Sequence, residues 1–435
     1  MNFIENIFKL KANNTNIKTE LLAGLTTFFT ISYLFILSPK ILETAGLDLQ
    51  ATITVTGVVV FLCCLIMGLV ANKPYAVAPF LGETAFVSFT LVASLGFSVK
   101  TALAAIVVSG ILLLLLTILN LRTYIVNKIS ETIKLAFCSG LGLFFMFIAL
   151  KDMNIVSFTQ NSIPLQTGNF LNIEVILSLF CFVLLIVLVK KQVKAAVLIA
   201  IILTTIWGVI IGDVQLPSSI ISLPHSMSSS FLQTDFIGLL DKNFLPMLFI
   251  IFLLVNIDTA GGLVGLSYKG GFVDKDGNIP DLKKSMVADS ISVILAPLLG
   301  TTTTGACLDS MTGVSAGGRT GLTAITVGLL FLFGLLFTPI ITIIPSYAYS
   351  PVLLYVGILM TTVISKLNFD DITEFAPAIF MIATMIFTYN LGIGIAIGFV
   401  LHPLIKLLSG KKKETNIISW IMFVLSLLFF VIYPY

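Results

Sequence analysis

Apolar residues in this chain come in long runs separated by short polar breaks. "ITVTGVVVFLCCLIMGLVA" (53–71) and "ALAAIVVSGILLLLLTIL" (102–119) contain no charged residue. A helix needs about 20 consecutive apolar residues to cross a bilayer, so such runs read as membrane spans. The pattern predicts fourteen segments, near 21–41, 51–71, 76–93, 99–120, 132–150, 172–190, 194–212, 243–266, 284–299, 300–316, 320–343, 351–366, 373–389 and 391–408. They are numbered here in that order. A fifteenth run, "IISWIMFVLSLLFFVIYPY" (417–435), reads either as a further span or as an interfacial helix anchored by Trp420 and its tyrosines.

Segments three and ten break the helical pattern. "PYAVAPFLGETAF" (74–86) carries two prolines, and each removes a backbone donor and disfavours helix at the residue before it. Extended chain is expected there, with a helix starting near Gly82. "LLGTTTTGACLDSMTGVSAGG" (298–318) has a threonine run that favours extended backbone, with a short helix expected from about Leu308. Non-helical backbone at membrane depth survives only where protein buries it or where it lines a cavity. Paired broken segments in matching places of two halves point to a transporter binding site. The breaks lie seven segments apart, which predicts two seven-segment repeats. Seven is odd, so the second repeat is expected to be inverted in the membrane.

Composition agrees with this reading. The chain of 435 residues is 57% hydrophobic and 10% charged, and its mean hydropathy of +1.09 excludes a soluble domain. The charged N-terminal stretch has no small-residue cleavage site and reads as a cytosolic amphipathic lead-in. With that end inside and fourteen crossings, the cytoplasmic side receives twenty of the 24 basic residues, Arg122 and Lys406 among them. Lys40, Lys100, Lys151 and Lys242 fall on the other side. That asymmetry is the signature of a correct span map. The five cysteines lie in or beside apolar runs without metal-ligand spacing, and His225 and His402 are far apart. No metal, cofactor or catalytic constellation is read from the sequence.

Acids inside membrane segments are expensive and mark function by default. Glu83 and Thr84 fall at the start of one half-helix, Asp309 and Ser310 at the start of the other. They can cap those helices, bind a ligand at the positive helix ends, or do both. Asp258 lies in segment eight and is followed by Gly261 and Gly262, which allow close helix approach. Asp289 reads as structural, hydrogen-bonded between helices. Phe80 and Phe86 flank the first break, where packing and stacking on a flat ligand both suit them.

Several stretches resemble one family: "TELLAGLTTFFTISYLFILSP" (19–39), "ANKPYAVAP" (71–79), "IDTAGGLVGLSYKGGFVDKDGNIP" (257–280), "SAGGRTGLTAITVGLLFLF" (315–333) and "FDDITEFAPAIFMIATMIFTYNLGIGIAIGF" (369–399). The chain resembles the nucleobase–cation symporter family of xanthine/uracil permeases, and within it the adenine–guanine–hypoxanthine branch. That resemblance implies an all-α polytopic fold of fourteen segments in two inverted repeats. After a lead-in (1–18), a core domain takes 19–120 and 243–345. A gate domain takes 121–242 and 346–409, and 410–435 is an extra apolar segment. It also implies a substrate held by acids of segments eight and ten, here Asp258 and Asp309. Neighbours around the two breaks would be Phe80, Gly82, Glu83, Thr84, Leu308 and Ser310. Where the branch reads "APGMGLNAF", this chain has "APFLGETAF". Phe80, Glu83 and Thr84 replace the usual glycine, leucine and asparagine. Val255 stands where many members carry a further acid, and Asp309 stands for the family's glutamate.

Uptake of purine-type nucleobases at the cell membrane by proton symport is therefore expected. The partners implied are a small-molecule substrate, the bilayer and a second copy in a homodimer, with no nucleic acid. Glu83, Asp258 and Asp309 are the candidate proton carriers. Transport of another small heterocycle or of an anion on the same fold is the alternative, as is a channel-like facilitator.

Overall fold

The computed structural model describes residues 2–158, 165–241, 244–274 and 279–432. Lys242 and Lys275 of the charge map, and the tyrosines that close the chain, lie outside them. Among the described residues, nine helical stretches are long and apolar enough to cross a membrane, from Ile17–Glu43 to Leu391–Leu408. Four shorter apolar helices, Leu81–Ser94, Ala196–Ile210, Ile372–Phe387 and Ile417–Val431, occupy further expected segments. The helix for segment nine, Leu282–Leu299, carries Lys283, Lys284 and Asp289.

The chain divides into two compact units. The first comprises Met1–Ile129, Ile221–Thr338 and Leu427–Tyr435. Strand β1 (Val77–Pro79) runs through its interior. A second unit comprises Ser130–Ile220 and Pro339–Ser426. It carries an antiparallel strand pair the hydropathy pattern does not signal, β2 (Val156–Phe158) and β3 (Leu165–Thr167). Strand β4 (Thr304–Ala306) belongs to the first unit and pairs antiparallel with β1, with Ala78 opposite Gly305. The ladder is extended by Phe80 N–H to Thr303 O at 3.0 Å and Cys307 N–H to Ala76 O at 2.9 Å. Two three-residue strands are marginal in water. Here every strand residue is fully buried, so its polar groups have only each other.

Prolines and threonines thus do what the pattern predicts. Helices follow both strands, Leu81–Ala85 continuing to Ser94 after β1, and a turn at Leu308–Ser310 leading into Met311–Ser315 after β4.

Three expected domain limits lie elsewhere, and the stretch 339–345 falls in the second unit instead of the first. The short helix Arg122–Lys128 belongs to the first unit, because Arg122 turns inward and is only 1% exposed. The stretch 221–241 does too. Its backbone bonds that unit at Leu232 N–H to Leu298 O (2.8 Å) and Asp235 N–H to Lys100 O (3.0 Å). Arg122 is therefore no loop cation, despite its place in the charge map.

Glu20, not singled out by the sequence, is wholly buried. Its carboxylate accepts from Arg319 N–H (2.9 Å), Thr320 N–H (3.3 Å) and the Thr323 hydroxyl (2.5 Å). It thereby ties segment one to the residues leading into helix Gly321–Gly334, whose first N–H is taken by Asn72 Oδ1 at 2.8 Å.

In the second unit, Asp371, Glu374 and Glu414 cluster closely enough to suggest a cation site. The Lys406 ammonium fills that place, 2.6 Å from Glu374 and in contact with Glu414. Asp371, just before its helix, is held well below the usual carboxylate range by hydrogen bonds from Lys411 and Thr373.

Candidate substrate site

The first unit gathers the sequence-flagged residues around the β1–β4 pair. Phe80 is the N-cap of the helix after β1 and supplies no side-chain cap. Its ring instead lies against Gly305: a Cβ there would come within 2.4 Å of Phe80 Cε2. Phe80 therefore packs across the strands, and Phe86 is buried at 1% exposure.

Glu83 points inward at 2% exposure, and neither of its oxygens accepts from a donor among the described residues. Its carboxyl group meets that of Asp258. Carboxylates only accept, so this contact is a hydrogen bond only when one partner carries a proton. Thr84, next along, gives its hydroxyl proton to Phe80 O at 2.8 Å. Thr302 Oγ1 lies 2.7 Å away and so donates to it. Gly82 is buried in the same turn.

Around β4, Ser310 Oγ accepts from Ala76 N–H at 3.0 Å, tying the second break to the first. The partner of Asp309 is the Tyr33 hydroxyl at 3.4 Å, from the kink in segment one. Leu308 is exposed. None of Glu83, Thr84, Asp309 and Ser310 acts as a side-chain cap of its half-helix.

Asp258 sits on helix Leu245–Lys269. Gly262 and Gly265 share its face at i+4 and i+7. A Cβ at Gly262 would lie 2.9 Å from Ala306 O, and one at Gly265 3.4 Å from Leu308 Cδ2. The close approach read from the glycine pair is thus to β4 rather than to a helix, and Gly261 faces open space. Asn256, which the sequence reading passed over, is fully buried with neither amide atom paired among the described residues.

Asp289 is an interhelical partner as expected, and its partner is Arg122 at 2.8 Å. Both are buried. Arg122 also borders a cleft of about 190 Å³, lined by Thr117, Asn120, Thr123, Lys283 and Met286.

The arrangement is two broken segments crossing as a buried ladder, with acids aimed at the breaks. Residues 18–401 match the family model for xanthine/uracil permeases, described as a permease family. The chain belongs to that family. It is 35% identical to the adenine permease AdeP of Escherichia coli (strain K12), across 98% of this chain and 96% of that protein. It is 33% identical to the guanine/hypoxanthine permease PbuO of Bacillus subtilis (strain 168), across 98% and 99%. The fold is that of the transmembrane domain of the cyanobacterial bicarbonate transporter BicA, with TM-score 0.64 at 15% identity, covering 88% of this chain and 97% of that one. SLC26A9 matches with TM-score 0.63 at 14% identity, over 90% of this chain and 66% of that one. This is a multi-pass membrane permease, not an enzyme.

Proposed function

We propose that this permease takes up purine-type nucleobases (adenine, guanine, hypoxanthine or xanthine) across the cell membrane. It does so by proton symport with alternating access, the two units acting as core and gate and the broken segments as matching parts of inverted repeats. The N-terminus faces the cytoplasm. The observation that carries this reading is Glu83, a carboxyl buried beside the strand pair with no donor among the described residues and Asp258 as its acidic neighbour.

A nucleobase is flat and neutral, with N–H donors on one edge and acceptors on others. Carboxylates suit the donors, and half-helix amides suit the acceptors. Two carboxyls in contact form a place to carry a proton and release it as the conformation changes. The relatives named for adenine and for guanine and hypoxanthine support the substrate class. The bicarbonate transporter shares the fold alone, and three acids near the site oppose an anion. Uptake of labelled adenine, guanine and hypoxanthine into cells lacking their own permeases tests this. Accumulation abolished by an uncoupler is expected. Absence of uptake for every purine, with anion flux instead, overturns it.

A further inference from the structure

Among the described residues of the first unit, Arg122 is the one buried basic side chain. Its guanidinium reaches four partners. Nη1 donates to Met286 O at 3.2 Å and Ser290 Oγ at 3.1 Å. Nη2 donates to Asp289 Oδ2 at 2.8 Å and to Thr259 Oγ1. Thr259 spends its own proton on Val255 O at 2.6 Å, so toward Arg122 it is purely an acceptor. Met286, Asp289 and Ser290 share one face of segment nine at i, i+3 and i+4. Thr259 immediately precedes the next turn of segment eight and immediately follows Asp258. One fork therefore clamps segment nine to the turn that carries Asp258.

The charges around the carboxyl contact come from several elements. Asp289 of segment nine acts on Glu83 electrostatically. Arg122 faces Asp289 from the linker helix. Cys63 of segment two neighbours Asp289, and Asp309 lies with Tyr33 at the other break. Arg122 and Asp289 cancel at this place; either one alone leaves a full charge beside the site.

We propose that Arg122 is a positioning residue for transport, holding the Asp258–Thr259 turn in place and offsetting the charge of Asp289 beside the Glu83–Asp258 contact. The charge-balancing half rests on the proton-symport reading. An unbalanced anion favours the proton on the pair, and an unbalanced cation disfavours it. Arg122→Gln should then move the alkaline limb of the uptake–pH profile up by about one pH unit, and Asp289→Asn should move it down by about as much. Arg122→Gln combined with Asp289→Asn should bring the limb back. Arg122→Lys keeps the charge but not the fork, so its limb should stay at the wild-type pH while KM rises several-fold.

Uptake is measured from pH 5 to 9 at matched amounts of membrane protein that elutes as a single peak in detergent. Opposite shifts with restoration in the double variant support the inference; a packing role lowers Vmax without moving the limb in opposite directions. Shifts in the same direction, or none, overturn it while wild-type uptake remains uncoupler-sensitive. Wild-type uptake that ignores the uncoupler overturns the proton reading and the charge-balancing half together. If the glutamine variant fails to fold, Arg122→Lys decides: unchanged KM overturns the positioning role, and raised KM with an unmoved limb supports it.

Discussion

Thr84 Oγ1 and Thr302 Oγ1 lie 2.7 Å apart, one from each broken segment. Thr84 is already a donor to Phe80 O, so Thr302 is the donor in the pair. This bond fastens the first turn of one half-helix to the chain entering β4. Thr84→Val should cost roughly 1 kcal/mol for the lost bond, and up to about 3 if the Thr302 hydroxyl is left unpaired. Thr84→Ser should cost less, since it keeps the hydroxyl. Thermal unfolding in detergent checks the order; equal melting temperatures for the valine variant and the wild type would show the bond to be idle.

Asp258→Asn and Asp309→Asn should each leave folded protein in the membrane and weaken substrate binding. Each loses a charge-assisted bond worth roughly 1.5–3 kcal/mol, or about one to two decades in affinity. Binding titrations on the purified variants measure this directly. Near-normal affinity in both would remove these acids from the site.

Glu83→Gln puts a permanent donor opposite Asp258, imitating the state in which Glu83 holds the proton. Exchange of substrate across the membrane should survive. Uphill accumulation and its pH dependence should disappear. A variant that accumulates substrate with the wild-type pH profile would move the proton carrier to Asp258 or Asp309.

Gly305→Ala should be destabilising by about 1–3 kcal/mol through overpacking, because its Cβ would enter the Phe80 ring at 2.4 Å. Phe80→Ala in the same chain should recover much of that loss. The double-mutant cycle reads the coupling. Additive losses would mean that the strand ladder, and not the ring, rejects the side chain.

Orientation has its own test. A single cysteine at Lys412 in a cysteine-free chain should be labelled by an impermeant maleimide only after the cells are opened. Labelling of intact cells would reverse the span map.

Which stretches form long apolar helices was legible from hydropathy, because burial in lipid is decided locally by about 20 residues at a time. The two breaks were legible for the same reason: Pro74, Pro79 and the threonine run act on their own backbone. Asp258, Glu83 and Asp309 were visible as acids in apolar surroundings. What those acids touch was not. That β1 pairs with β4, that Glu83 meets Asp258 while Asp309 turns to Tyr33, and that Glu20 binds the backbone at Arg319 and Thr320 all join residues far apart in the chain. Arg122 shows the limit best. An arginine at the end of an apolar run looks the same whether it ends in water or turns inward. Only the packing of segment nine against segment eight sets Asp289 and Thr259 where they accept from the inward-turned guanidinium.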